Sequence, residues 1–226
     1  MCGRFALDEN PLRFAEHFNL TGDVLLSPAW NIAPSFKINT ITAPQDGARQ
    51  LRTMRWGLIP AWAKDAAIGN RLSNARGETV ADKPSFRSAF KYRRCLIPAS
   101  GFYEWKSHQG RKQPWYMSLK SGEPMALAGL WESWQAPDGE TLQTCCIITT
   151  SANSLMQPIH ERMPVILNRE QWESWLSPQE RNPHHVLPFI QPCDAEPMQA
   201  WPVSTELNQV GLRDDAGLIA PLSNLS

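Results

Sequence analysis

Charge of either sign is scarce. Only 19% of the 226 residues are charged, and 22 basic residues balance 22 acidic ones to a net charge of zero. A neutral chain is not built for indiscriminate attachment to polyanions. Long apolar runs are missing too. None approaches the roughly 18 residues of a membrane-spanning helix, and the N-terminus has no long apolar h-region, so secretion is not indicated. Cysteine is limited to Cys2, Cys95, Cys145, Cys146 and Cys193, an odd count without a Cys-x-x-C pair. That excludes a zinc ribbon and a dithiol redox motif and suits the reduced thiols of the cytoplasm. His17, His108 and His160 are each isolated from any Cys or second His at ligand spacing, and the His184-His185 pair has no Cys nearby. We therefore expect neither metal nor cofactor.

What is present suffices for a core. Hydrophobic residues make up 42% of the chain, and the length suits one domain or a tight pair of subdomains. Pro11 to Leu20 reads as a short helix, with Asn10 or Asp8 as cap, Pro11 in the first turn, and an apolar stripe of Leu12, Phe14, Ala15 and Phe18. Strand-like stretches cover Phe36–Thr42, Leu51–Trp56, Arg94–Ile97, Trp115–Leu119, Met125–Trp131, Leu142–Thr149 and Met163–Leu167, with turns at Gly110, Gly122 and Asp138-Gly139. Short helices are expected at Ser85–Lys91 and Arg169–Leu176, and a helical turn at Asn153–Pro158. No βαβ rhythm, repeat or linker is visible. The pattern predicts a single compact α+β domain over 1–226, around a curved, barrel-like mixed or antiparallel β-sheet with short flanking helices. Cys145-Cys146 reads as two strand residues pointing to opposite faces, and the stretch after Gln191 as a surface wrap.

The neutral average hides an asymmetry. From Arg49 to Arg94 there are eleven Lys/Arg against Asp65, Glu78 and Asp82, 11 − 3 = +8; from Glu170 to Asp215 there are eight acids against Arg181 and Arg213, 2 − 8 = −6. Such a split can make one polyanion-binding face on a neutral protein. The loop-rich stretch from Gly57 to Gly77 holds Trp62, Arg71, Asn74 and Arg76, and reads better as a binding element than as core.

Four short segments carry chemistry-bearing side chains: Cys2-Gly3-Arg4-Phe5, Ser73 to Thr79, Gly101 to Lys106 around Glu104, and His160-Glu161-Arg162-Met163-Pro164. Taken singly, each has a bland reading as a turn, surface or loop residue. Aldehyde chemistry would unite them. Once Met1 is removed, Cys2 presents an α-amine (reference pKa about 8) and a thiol (about 8.5) on adjacent carbons. The amine can form an imine with an aldehyde, and the thiol can close it to a thiazolidine. A desolvated carboxylate such as Glu104 could move both protons near neutrality. His160 is the usual kind of partner, and Asn74 can orient a hydroxyl or the amine.

These segments, with Trp56-Gly57-Leu58-Ile59-Pro60 and Trp62 between the first and second, follow one another in a pattern that resembles the SRAP family, the SOS-response-associated peptidase-like, abasic-site-processing proteins. The resemblance runs from Cys2 to Pro164; no motif matches after about Leu167. It implies a compact α+β fold around barrel-like sheets. It also implies a DNA-damage role in which Cys2 crosslinks to the ring-opened aldehyde of an abasic site in single-stranded DNA, with Asn74, Glu104 and His160 at the active site. DNA contacts fall on Arg4, Arg76, Arg162 and Trp62, with Arg71 from the same basic loop. Weak lyase activity, self-removal of Met1, a monomeric state and a nucleoid-associated cytoplasmic location belong to this expectation. Gly77 follows Arg76 where relatives often carry Ala or Ser, so that loop is expected to be more mobile. Two other readings stay open: a thiol peptidase with Cys2 as nucleophile, His160 as base and Glu104 as orienter, and a non-catalytic reader of single-stranded or modified DNA. A blocked α-amine would stop crosslinking but not a peptidase, and a reader would tolerate Cys2→Ala.

Overall fold

A computed structural model describes residues 2–44, 48–108 and 110–222. Twelve strands form two sheets among these residues. They are β1 (Phe5–Leu7), β2 (Ala29–Ile32), β3 (Lys37–Thr42), β4 (Gln50–Trp56), β5 (Asn74–Arg76), β6 (Arg94–Ala99), β7 (Gly101–His108), β8 (Arg111–Leu119), β9 (Met125–Gln135), β10 (Thr141–Ser151), β11 (Arg162–Pro164) and β12 (Met198–Pro202). The first sheet is antiparallel, in the order β12-β8-β7-β1-β2. The second runs β10-β4-β3-β6-β9 and returns from β9 to β10, so it closes on itself as a barrel. Its β10–β4 pair is parallel and the other pairs of the ring are antiparallel; β5 and β11 add to β10, parallel and antiparallel respectively. This is the mixed, barrel-like α+β architecture that the strand-rich pattern predicts.

Helix α1 (Pro11–Phe18) starts at Asn10, whose side chain accepts from the Leu12 and Arg13 amides. It ends at Asn19, in the left-handed conformation. Phe14 and Phe18 are buried, as the stripe predicts, but Leu12 is 81% exposed. Leu12 sits two residues before Phe14, about 200° around the helix, and so points away from the core. The later helices are shorter than expected: α2 spans Arg87–Tyr92, and a 3₁₀ turn at Arg169–Gln171 leads into α3 (Trp172–Leu176). Cys145 and Cys146 both lie in β10 and are both buried, because both faces of that strand are covered.

The main core fills the space enclosed by the barrel and the inner face of the first sheet, and takes in Phe5, Leu7, Phe102 and Met117. A second, smaller core lies on the other face of the first sheet. There Ala6, Tyr103 and Tyr116 pack against Val203, Leu207 and Leu218. The alternation of β1 and β7 sends neighbouring residues to different cores. The stretch after Gln191 therefore does more than wrap the surface. It adds β12 to the sheet edge by pairing with β8 and closes the second core. Its only sequence cue was a short Met-Gln-Ala-Trp-Pro run, too brief to show a period.

Candidate functional site

The site forms where the two sheets meet. β1 runs antiparallel to β7, with Phe5 opposite Phe102, and the Tyr103 amide donates to the Arg4 carbonyl. That register carries Cys2 and Gly3, just before β1, alongside Glu104 on β7. The end of β10 lies between two short strands: Thr149 pairs with Arg76 of β5 on one side and with Pro164 of β11 on the other. The segments carrying Asn74 and His160 thus flank one strand.

β5 alternates as a half-buried strand should. Ala75 is buried, while Asn74 is half-buried and Arg76 exposed. The Trp56 ring meets Phe5 edge-on at 5.2 Å, and its indole N–H donates to the Ser73 carbonyl over 2.9 Å. The apolar Trp56-Gly57-Leu58 motif thereby sets the approach to Asn74. Gly57 has φ +133°, and a Cβ there would lie 2.6 Å from the Gly69 carbonyl oxygen, so a side chain at 57 would force these backbones apart. Gly77, at the far end of β5, is a close-packed position, contrary to the expectation of mobility. It is buried, and a Cβ would meet Ile190 at 2.2 Å and the Thr149 carbonyl at 3.1 Å. Gly77→Ala is expected to lower stability by about 1–3 kcal/mol through overpacking, read as a drop in the denaturant midpoint at unchanged m-value.

Cys2 is fully buried. Its carbonyl accepts a 2.9 Å hydrogen bond from Asn74 Nδ2, and the Oδ1 of that same amide is a buried acceptor with no hydrogen-bond donor among the described residues. Desolvation pushes the Cys2 thiol far above the ordinary thiol range, and the charge of Glu104 adds to the effect. Glu104 is buried, and desolvation raises its carboxyl to about 7.

His160 Nε2 lies 4.0 Å from Glu104 Oε2. Its Nδ1 accepts the Arg162 amide over 2.9 Å, so in the neutral ring the proton sits on Nε2, facing Glu104. Burial holds the imidazole below its ordinary pKa, which keeps it neutral at pH 7. Arg4, Glu104, Trp105 and His160 line an open cleft of about 660 Å³, with Ser107, Lys112 and Asn208 along its further wall.

Of the residues singled out from the sequence, Cys2, Asn74, Glu104, His160 and Arg4 are brought together. Arg76 is exposed on β5, two residues from Asn74. Arg162 is buried and already engaged: Nη1 and Nη2 grip the Glu78 carboxylate, and Nη2 also donates to the Thr149 carbonyl over 2.9 Å. Trp62, 60% exposed, and the exposed Arg71 lie outside the cleft lining. The basic middle is partly absorbed by structure, since Arg94 is buried against main-chain carbonyls and Arg93 is paired with Glu132. Sequence reasoning missed the cleft roles of Lys112 and Asn208, and gave Glu78 no partner. Asn208 stands in the segment without a motif, and nothing in its neighbours signals it.

The model of the SOS response associated peptidase (SRAP) family matches residues 1–210. The chain belongs to the SRAP family. The match extends beyond the motifs, which end at Pro164, and takes in β12. Among relatives of this SRAP protein, the "Abasic site processing protein YoqW" of Bacillus subtilis is 46% identical over 215 residues, 92% of this chain and 94% of the relative. The "Abasic site processing protein HMCES" of Gallus gallus is 33% identical over 186 residues, 72% of this chain and 55% of that longer protein. A crystal structure of a Bacteroides thetaiotaomicron protein superposes with a TM-score of 0.88 at 27% identity, covering 98% of this chain and all of the other. Among the described residues, no helix is long and apolar enough to cross a membrane.

Proposed function

We propose that this SRAP protein handles abasic sites in single-stranded DNA by forming a covalent crosslink through Cys2. The observation that carries the reading is the meeting of the buried Cys2, bonded to Asn74 and adjoining Glu104, with a cleft that Glu104 and His160 line. The names of the relatives support the lesion as target. Removal of Met1, by an aminopeptidase or by the protein itself, frees the Cys2 amine. That amine attacks the carbonyl carbon of the ring-opened sugar, and Glu104 takes a proton from it. The carbinolamine oxygen leaves as water with the proton that Glu104 took, while the His160 Nε2–H donates a hydrogen bond to it. The Cys2 thiol then adds to the imine carbon, and its proton passes to the nitrogen. One C–N and one C–S bond form, and one water is lost. In this reading Asn74 Oδ1, the unused acceptor of the amide bonded to the Cys2 carbonyl, takes a hydrogen bond from the amine. The imine also permits β-elimination, which would give weak lyase activity.

The buried, un-ionised thiol of Cys2 favours this order over a thiol peptidase. A peptidase needs a thiolate poised to attack, whereas here the amine attacks first and the thiol acts on an imine already in place. The DNA strand is fixed by the exposed Arg71 and Arg76 on phosphates and by Trp62 on a base. A phosphate reaching Arg162 has to displace Glu78. Intact mass after incubation with single-stranded DNA bearing one abasic site tests the reading. A denaturant-stable species at the summed masses less one water is expected, and its absence from protein shown to begin at Cys2 overturns it. Arg76→Ala is expected to weaken binding to lesion-free single strands and to flatten the log K against log salt slope by about 0.7, the contribution of one phosphate. An unchanged slope removes Arg76 from the DNA path.

A further inference from the structure

Arg4 is buried to 8% exposure in the wall of the cleft, and no carboxylate lies within ion-pair distance of it among the described residues. Among the described residues its guanidinium makes its hydrogen bonds through Nη1, to Asn31 Oδ1 and to the Leu207 carbonyl at 2.8 Å. The plane lies over the Trp105 ring at 5.7 Å. The Nε–H is buried without an acceptor among the described residues. A buried cation with only neutral partners is costly, and Nη2, which makes no hydrogen bond among the described residues, can donate to a phosphate oxygen.

The C-terminal segment fixes this arrangement. Asn31 Nδ2 donates to the Arg213 carbonyl over 3.1 Å, and Asp214 Oδ1 accepts the amides of Trp30 and Asn31 at 2.5 and 3.0 Å. Arg213 is itself held by Glu206 and Asp215. Asn208 Oδ1 accepts the indole N–H of Trp105, the ring beneath Arg4. The tail residues from Glu206 to Asp215 therefore hold both Asn31 and Trp105.

We propose that Asn31 is a positioning residue, anchored by Asp214, that holds Arg4 by Nη1 with a neutral oxygen and so leaves Nη2 charged and open to a backbone phosphate beside the lesion. The inference rests on the crosslinking function proposed above. The choice of an amide over a carboxylate at position 31 is its core. Asparagine fixes the guanidinium without neutralising it, whereas an aspartate would take the place of the phosphate.

The test compares wild type, Asn31→Asp and Asp214→Ala in two assays, each protein checked for a cooperative thermal transition. The first is the salt slope for binding a lesion-free single strand; the second is the single-turnover rate of adduct formation. Asn31→Asp is expected to flatten the slope by about 0.7 and to slow adduct formation about tenfold at subsaturating DNA, with the rate recovering at saturating DNA. Asp214→Ala, which frees Asn31 without adding charge, is expected to slow adduct formation while the slope stays within about 0.3 of wild type. A wild-type slope and rate in Asn31→Asp overturns the inference, as does a slope loss in Asp214→Ala equal to that in Asn31→Asp. If Asn31→Asp does not fold, a wild-type rate in Asp214→Ala overturns it alone. Absence of any adduct from wild type instead marks failure of the underlying function, and the salt slopes still decide whether Arg4 receives a phosphate.

Discussion

Cys2→Ala is expected to abolish the denaturant-stable adduct while leaving affinity for single-stranded DNA within about threefold, because the proposed phosphate contacts lie on other residues. The alanine protein keeps the α-amine after Met1 removal. It should still form an imine, trappable by borohydride, but it lacks the sulfur that closes the ring. Protein with a short extension before Cys2 keeps the thiol and loses the amine, and it should form neither imine nor ring. The two variants separate the two halves of the aminothiol. Cys2 is fully buried in the main core, so Cys2→Ala also removes packing, and a loss of about 1 kcal/mol of stability is expected with it. Serine in place of alanine preserves size and gives an amine with a poorer second nucleophile. A stable adduct from the blocked protein would overturn amine-first capture.

The chemistry of this site was more legible in the sequence than its support. Cys2, Asn74, Glu104 and His160 stood in short segments whose order matched a family pattern, and two of those segments orient their own residue by local means. β5 alternates by period two, and the Arg162 amide sets the His160 tautomer two residues away. The support is long-range and has no local sign. Arg4 meets Leu207, and Asn31 meets Arg213, across separations that periodicity cannot register. β1, β2, β5 and β12 are three to five residues long, shorter than a pattern needs to show itself. Gly77 misled because a glycine where relatives carry Ala or Ser signals freedom, whereas here it makes room for Ile190. Arg162, a DNA contact by the family pattern, is gripped to Glu78, 84 residues before it, a pairing that no local pattern signals.

Glu104→Gln carries the second large effect, and it is expected in two measurements of opposite sense. Its carboxyl sits at about 7 in the folded protein, raised by burial, against about 4.3 in an unfolded chain. The folded state therefore binds more protons than the unfolded state between those values, and stability falls as pH rises through that window. Glutamine is neutral throughout. Glu104→Gln should accordingly gain on wild type by about 2–3 kcal/mol above pH 7.5, with the gain shrinking to nothing near pH 4.5. Crosslinking moves the other way. The wild-type rate should rise through pH 7 as the carboxylate forms and can take the amine proton. The glutamine variant should lose that inflection and run about 10²-fold slower, as removal of a general base predicts. A more stable protein that works more slowly, with both changes pivoting near pH 7, is the signature of a carboxylate kept buried for its basicity. Lost activity without the pH-dependent gain in stability would mean that Glu104 is not buried with a raised pKa. The gain without the rate loss would leave it a strained bystander, and the proton transfer would pass to His160.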